Sequence, residues 1–151
     1  MAYNTILLKG ENPNIEELVA HATITPGMLI EEQSDGEVKA HATPSGNAAR
    51  TFALESELEG NGIDDNYAAG DQVRVFHAQP GDQVYGLLAD GQSVSRGGFL
   101  VSNGDGYLKA YAYQSYEKDE LIVAKAKETV DRSSSSGGDT NTTGRIVVEV
   151  M

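Results

Sequence analysis

The stretch "SVSRGGFLVSNGDGYLKAY", Ser93–Tyr111, decides how the whole chain is read. Gly97, Gly98, Gly104 and Gly106 fall within ten residues, beside Arg96 and serine hydroxyls. Such a loop either cradles phosphate or turns the chain between strands. A Walker loop needs G-x-x-x-x-G-K-[ST] between a strand and a helix. A dinucleotide fingerprint needs a helix after its glycines. Here no lysine follows the glycines at that spacing, and strand-forming residues flank both sides. Gly97 and Gly98 are therefore read as turning the chain into "FLVS". Asn103–Gly106, two hairpin dipeptides in succession, turns it out again into "YLKAYAY". Arg96 is read as a surface or interface charge.

The same punctuation runs outward in both directions. "HATITPGMLIEE" is a strand broken at Pro-Gly, then a second strand. "DGEVKAHATPSG" gives a turn at Asp35-Gly36, a strand, and a turn at Pro44–Gly46. "RTFALE", "DQVRVFHA", "DQVYGLLA", "LIVAKAKET" (Leu121–Thr129) and "RIVVEVM" (Arg145–Met151) read as further strands. In "DQVRVFHA", Val73 and Val75 alternate with Arg74 and Phe76, which places the two pairs on opposite faces. Turn signals every 8–12 residues or so are the spacing of a sandwich or barrel. The expected fold is all-β: a small β-barrel or jelly-roll-like domain with an extended N-terminal arm and one or two short helices.

Residues 1–20 form the arm and residues 21–151 the β-domain. In the arm, "YNTILL" is strand-like. In "GENPNIEEL", Asn12 suits an N-cap, Pro13 the first helical position, and Glu16 and Glu17 the first turn near the positive end of the dipole. That predicts a helix of about two turns, marginal by itself. "ALESELEG" (Ala53–Gly60) predicts another short turn of helix. Residues 131–144, "DRSSSSGGDTNTTG", lack the apolar groups to offset ordering entropy and predict a flexible loop.

Composition excludes several functions. The 151 residues carry 23 acidic and 11 basic side chains, a net charge of −12. Nucleic-acid affinity comes mostly from cations that neutralise phosphates, so no nucleic-acid partner is expected. Anionic membranes are disfavoured for the same reason. No apolar run approaches the ~20 residues of a membrane helix, and "ILL" is too short for a signal-peptide core. The chain is expected to be made in the cytoplasm. With no cysteine, disulfides and thiolate chemistry are ruled out.

No catalytic, cofactor or metal site is expected. His21, His41 and His77 lack the spacing of a metal motif and read as strand histidines on half-exposed faces. The acidic clusters do not match a calcium loop, and Asp105 between two glycines reads as a turn. Trimeric dUTPases offer an enzymatic alternative, carried by pieces: "GIDDNYAAG" (Gly62–Gly70), "RGGF" (Arg96–Phe99) and "DRSSSS" (Asp131–Ser136). Their order differs from that family's, and the arginine after the tyrosine is missing. In that reading Asp64 would activate water. A carbohydrate-binding β-module is a further alternative, with Tyr107, Tyr111 and Tyr113 as the aromatic platform.

One resemblance covers most of the chain. An N-terminal arm is followed by "ITPGMLIE" (Ile24–Glu31), then by the long run from Ala53 to Lys109, then by "IVAKAKETVD" (Ile122–Asp131) and the closing "RIVVEVM". This order resembles the head decoration, or cement, proteins of tailed bacteriophages. The Ser/Gly/Thr loop and the arm's "GENPN" are departures from it. The resemblance implies a homotrimer bound outside the assembled shell. It would sit at (quasi-)threefold positions between hexamers of the major capsid protein and stabilise the shell, without catalysis or a cofactor. The arm would supply the capsid contact through Tyr3, Ile6, Leu7 and Leu8, adding a strand to an exposed sheet edge. It can instead cover an edge of its own domain.

Overall fold

Turn after turn closes where the sequence places glycine or an Asx side chain, and short strands lie between. The computed structural model describes residues 3–112, 121–133 and 144–151. Its largest sheet is six-stranded and antiparallel. The order is β1 (Leu7–Lys9), β7 (Gln83–Leu87), β13 (Arg145–Val150), β11 (Ala124–Ala126), β9 (Phe99–Ser102) and β10 (Leu108–Ala110). A three-stranded sheet runs β2 (Asn14–Val19), β6 (Gln72–His77), β5 (Thr51–Ala53). Two pairs complete the fold: β3 (Ile30–Glu32) with β4 (Val38–Ala40), and β8 (Ser93–Val94) with β12 (Val130–Asp131).

The all-β expectation holds. The barrel does not close: β1 and β10 are the two edges of the six-stranded sheet and do not pair with each other. The three-stranded sheet supplies the second layer. Phe52 and Phe76 stand opposite each other in register and are fully buried. They join Val84, Leu100, Leu108, Ile146 and Val148 of the six-stranded sheet in one core. Val73 and Val75, on the other face of β6, pack with Ala53, Ile30, Val38 and Tyr67 in a second core. The alternation in "DQVRVFHA" thus serves two cores at once.

The predicted N-terminal helix is a strand. β2 pairs with β6 over six residues, from Asn14 opposite His77 to Val19 opposite Gln72. Asn12 has φ +48°, which is incompatible with the extended backbone of an N-cap. An isolated two-turn helix gains little. The strand gains a ladder with β6, places Glu17 across from Arg74, and packs Ile15 and Leu18 against the two cores. The other predicted helix survives as one 3-10 turn, Glu57–Glu59, ended by Gly60.

The hairpin of the opening stretch forms as expected, β9 running into β10. Asn103 N–H bonds to the Tyr107 carbonyl, and Asp105 Oδ1 accepts from Tyr107 N–H at 3.1 Å. Gly104 has φ +93°, and a Cβ there would strike the Pro44 ring, so glycine is required twice over.

The expected strand Leu121–Thr129 is cut short, to Ala124–Ala126. Lys127 N–H still bonds to the Val147 carbonyl. The return bond is lost: Val147 N–H donates to Glu128 Oε1 at 3.2 Å, and the Lys127 carbonyl accepts from the Arg96 guanidinium at 2.7 Å. Two side chains thus end the ladder, and the chain moves off to pair as β12. Of the loop expected at residues 131–144, residues 134–143 lie outside the described residues, as does Tyr113.

Candidate functional site

The arm is fastened to the body by a buried carboxylate. Glu55 follows β5 and is 6% exposed. It accepts from the Thr5 hydroxyl at 2.7 Å and from Ile6 N–H at 3.0 Å. The Ile6 carbonyl takes Tyr85 N–H at 2.7 Å, and β1 continues beside β7. Ile6 is fully buried in the main core, while Leu7 and Leu8 are half-buried against it. Tyr3 is 41% exposed and meets Tyr85 edge-on, ring centroids 5.4 Å apart. Of the four arm residues singled out for contact, Ile6 therefore belongs to the chain's own core and Tyr3 presents the most open surface.

Arg145 sits beneath this contact, 3% exposed. Its guanidinium donates to the Pro26 carbonyl and, at 2.7 Å, to the Ile63 carbonyl. It stands 6.0 Å from the Tyr85 ring centre. Burial lowers its pKa, and Asp64 at 3.7 Å opposes that shift. Burial likewise raises the Tyr85 phenol. A Cβ on Gly27 would run into this guanidinium and the Tyr85 carbonyl, so the tight approach needs glycine. Asp64, the water-activating base of the enzymatic reading, is 90% exposed and serves as the outer partner of Arg145.

The three histidines have separate partners. His77 Nε2 meets Glu16 Oε1 at 2.6 Å across β6 and β2. His21 Nδ1 meets Glu37 Oε2 at 2.8 Å. With Asp35 they form a group whose ligand atoms lie within 4.8 Å of one another, so these three can hold a metal ion. His41 differs from the sequence expectation: it is 1% exposed. Its Nε2 lies 2.7 Å from the Asn47 carbonyl, which can only accept, so Nε2 carries the proton. Its Nδ1 is 2.6 Å from Ser102 Oγ.

Among the described residues, two of the surface hollows bear on these readings. One, of about 540 Å³, is lined by Tyr107 with Asp90, Asn103, Asp105 and Arg132. Tyr107 and Tyr111 are half-buried, which leaves neither ring as a flat, open platform. The other hollow, of about 350 Å³, lies beside the arm and is lined by Tyr3, Lys9, Arg96, Lys127 and Glu128 among others.

No protein-family model matches the chain, and no curated protein matches it by sequence. A solved structure does match: the N base of the head fiber gp8.5 of bacteriophage phi29, with a TM-score of 0.57. The chain shares that fold. The match covers 92% of this chain and 94% of the other at 10% sequence identity. Sequence reasoning does not find Glu55 or Arg145. Glu55 lies in a segment that reads as a helical turn. The only signal for Arg145 is a single charge at the head of an apolar strand.

Proposed function

We propose that the chain is a structural protein of a tailed-phage head. It attaches to the outside of the assembled shell as a homotrimer, at threefold or quasi-threefold positions, and stabilises it. Its partners are the major capsid protein and its own copies, and it performs no catalysis. The observation that carries this reading is the fold shared with the phi29 head-fiber base over nearly the full length of both chains. The order of motifs that resembles head decoration proteins supports it independently.

The physical character of the chain suits the role. A net charge of −12 keeps copies apart at high concentration until they meet a lattice. Modest contacts made by each of three linked subunits multiply into firm attachment. Shell contact through the arm falls to Tyr3, Leu7 and Leu8, since Ile6 is committed to the core.

Co-sedimentation with cognate expanded shells, combined with light scattering of the free protein, tests this. Saturable binding and a mass three times that of one chain are expected. Failure to bind the cognate shell would overturn the proposal. Pyrophosphate release from dUTP with magnesium, abolished in Asp64→Asn, would replace it with the enzymatic reading.

A further inference from the structure

The six-stranded sheet buries one face in the core, and on the other Tyr85, Val147 and Arg145 are covered while one row of residues is open. Lys9, Gln83, Glu149, Lys125 and Phe99 stand in register across β1, β7, β13, β11 and β9, so they share a face. The neighbouring rows, Val84–Val148–Ala126 and Val150–Ala124–Leu100, are buried in the core. The Lys9 row therefore points outward. Lys127, two residues beyond Lys125 in the chain, lies on the same side. Arg96 reaches it by bonding to the Lys127 carbonyl.

The charges on this face are unusual for so acidic a chain. Carboxylates outnumber cations 23 to 11, and Lys39, Arg74, Lys125, Arg132 and Arg145 each have one within 4.0 Å. Among the described residues, Lys9, Arg96, Lys109 and Lys127 have none, and Lys9, Arg96 and Lys127 line the same 350 Å³ hollow. The one carboxylate there, Glu128, accepts from Val147 N–H instead. Three cations against the single carboxylate of Glu128, with Glu149 beside them held by Lys125, leave the hollow net positive, and an incoming carboxylate relieves that. Exposed aromatic rings flank them: Tyr3 at 41% and Phe99 at 40%. Aromatic residues and arginine are what protein interfaces enrich.

We infer that this outer face docks an acidic protein surface, one of whose carboxylates seats between Lys9, Arg96 and Lys127. The inference deepens the shell-binding proposal by naming the side that turns toward the shell, and it rests on that proposal only for the partner's identity. A nucleic-acid strand fits less well. Its affinity builds from many phosphates along a track, against a net charge of −12. A single cationic hollow matches a single carboxylate.

Binding to poly-L-glutamate at low salt tests the chemistry without a shell. Wild type is expected to bind and to release as salt rises. Lys127→Glu should weaken binding about tenfold or more, with Lys127→Gln and Lys9→Gln in between. Lys39→Glu makes the same charge change on the β3–β4 hairpin and should stay within about twofold. The neutral variants guard against a reversal that fails to fold. Equal binding by wild type and Lys127→Glu, or no binding by wild type, would overturn the inference. Tighter Lys127-dependent binding to duplex DNA would overturn it in favour of a polyphosphate. Shell co-sedimentation of the same variants separates the two claims. If wild type ignores the shell but takes polyglutamate through Lys127, the docking face stands and the shell proposal falls. If the shell binds wild type and Lys127→Glu equally, the face falls and the shell proposal stands.

Discussion

Glu55 shows how much one buried group can organise. It accepts two hydrogen bonds from the arm, and hydrogen bonds to charged groups are the stronger kind. Glu55→Ala should cost about 2 kcal/mol in urea unfolding and speed exchange of the Ile6 amide. Unchanged exchange at Ile6 would show that the arm is held otherwise. Tyr67 supplies a pH test. Its hydroxyl donates to the Leu54 carbonyl at 2.5 Å, and burial raises its pKa from 10.0. Above about pH 10 the unfolded chain has lost this proton while the native protein keeps it, so stability falls as pH rises through that window. Tyr67→Phe should be less stable near pH 7 by about 1 kcal/mol and should lose less on going to about pH 10.5. Equal losses in both proteins would contradict the assignment. At this scale the sequence is legible where geometry is local. Gly104 and Asp105 announce a turn because their constraints lie within a few residues. His41 does not announce its burial, because Ser102 stands 61 positions away.

At the scale of elements, the strands of the body are legible because alternation and turn residues are local signals. The arm misleads where local signals conflict. "NPNIEEL" satisfies a helix start as well as an edge strand, and β6, nearly sixty residues on, decides between them. The segment Leu121–Thr129 reads as one strand, because nothing in it reveals that Arg96 and Glu128 intercept the ladder. The arm's docking has a measurable consequence. Ile6→Ala should lower stability by about 2–4 kcal/mol, as for any large core aliphatic, whereas truncating the exposed Tyr3 should cost far less. Equal small costs would place Ile6 outside the core. Phe76→Ala, which removes a ring shared by the two sheets, should cost about 3–5 kcal/mol. A loss under about 1 kcal/mol would mean that the two sheets do not share one core.

At the scale of the whole molecule, composition narrows the function and topology fixes the fold. A net charge of −12 argues against a nucleic-acid partner, and the lack of cysteine removes thiol chemistry. Whether the sheet closes is not legible in the sequence, because closure depends on how two edge strands a hundred residues apart are aimed. The open, two-layered arrangement leaves a basic, aromatic outer sheet face on an acidic molecule, while the arm is tied down on the edge beside it. A three-dimensional reconstruction of cognate expanded shells, with and without the added protein, tests whether the protein attaches to the shell by this face. Extra threefold-symmetric density is expected on the outer surface of the shell, with the six-stranded sheet's outer face and Tyr3 turned toward it. Identical maps with and without the protein would contradict this expectation.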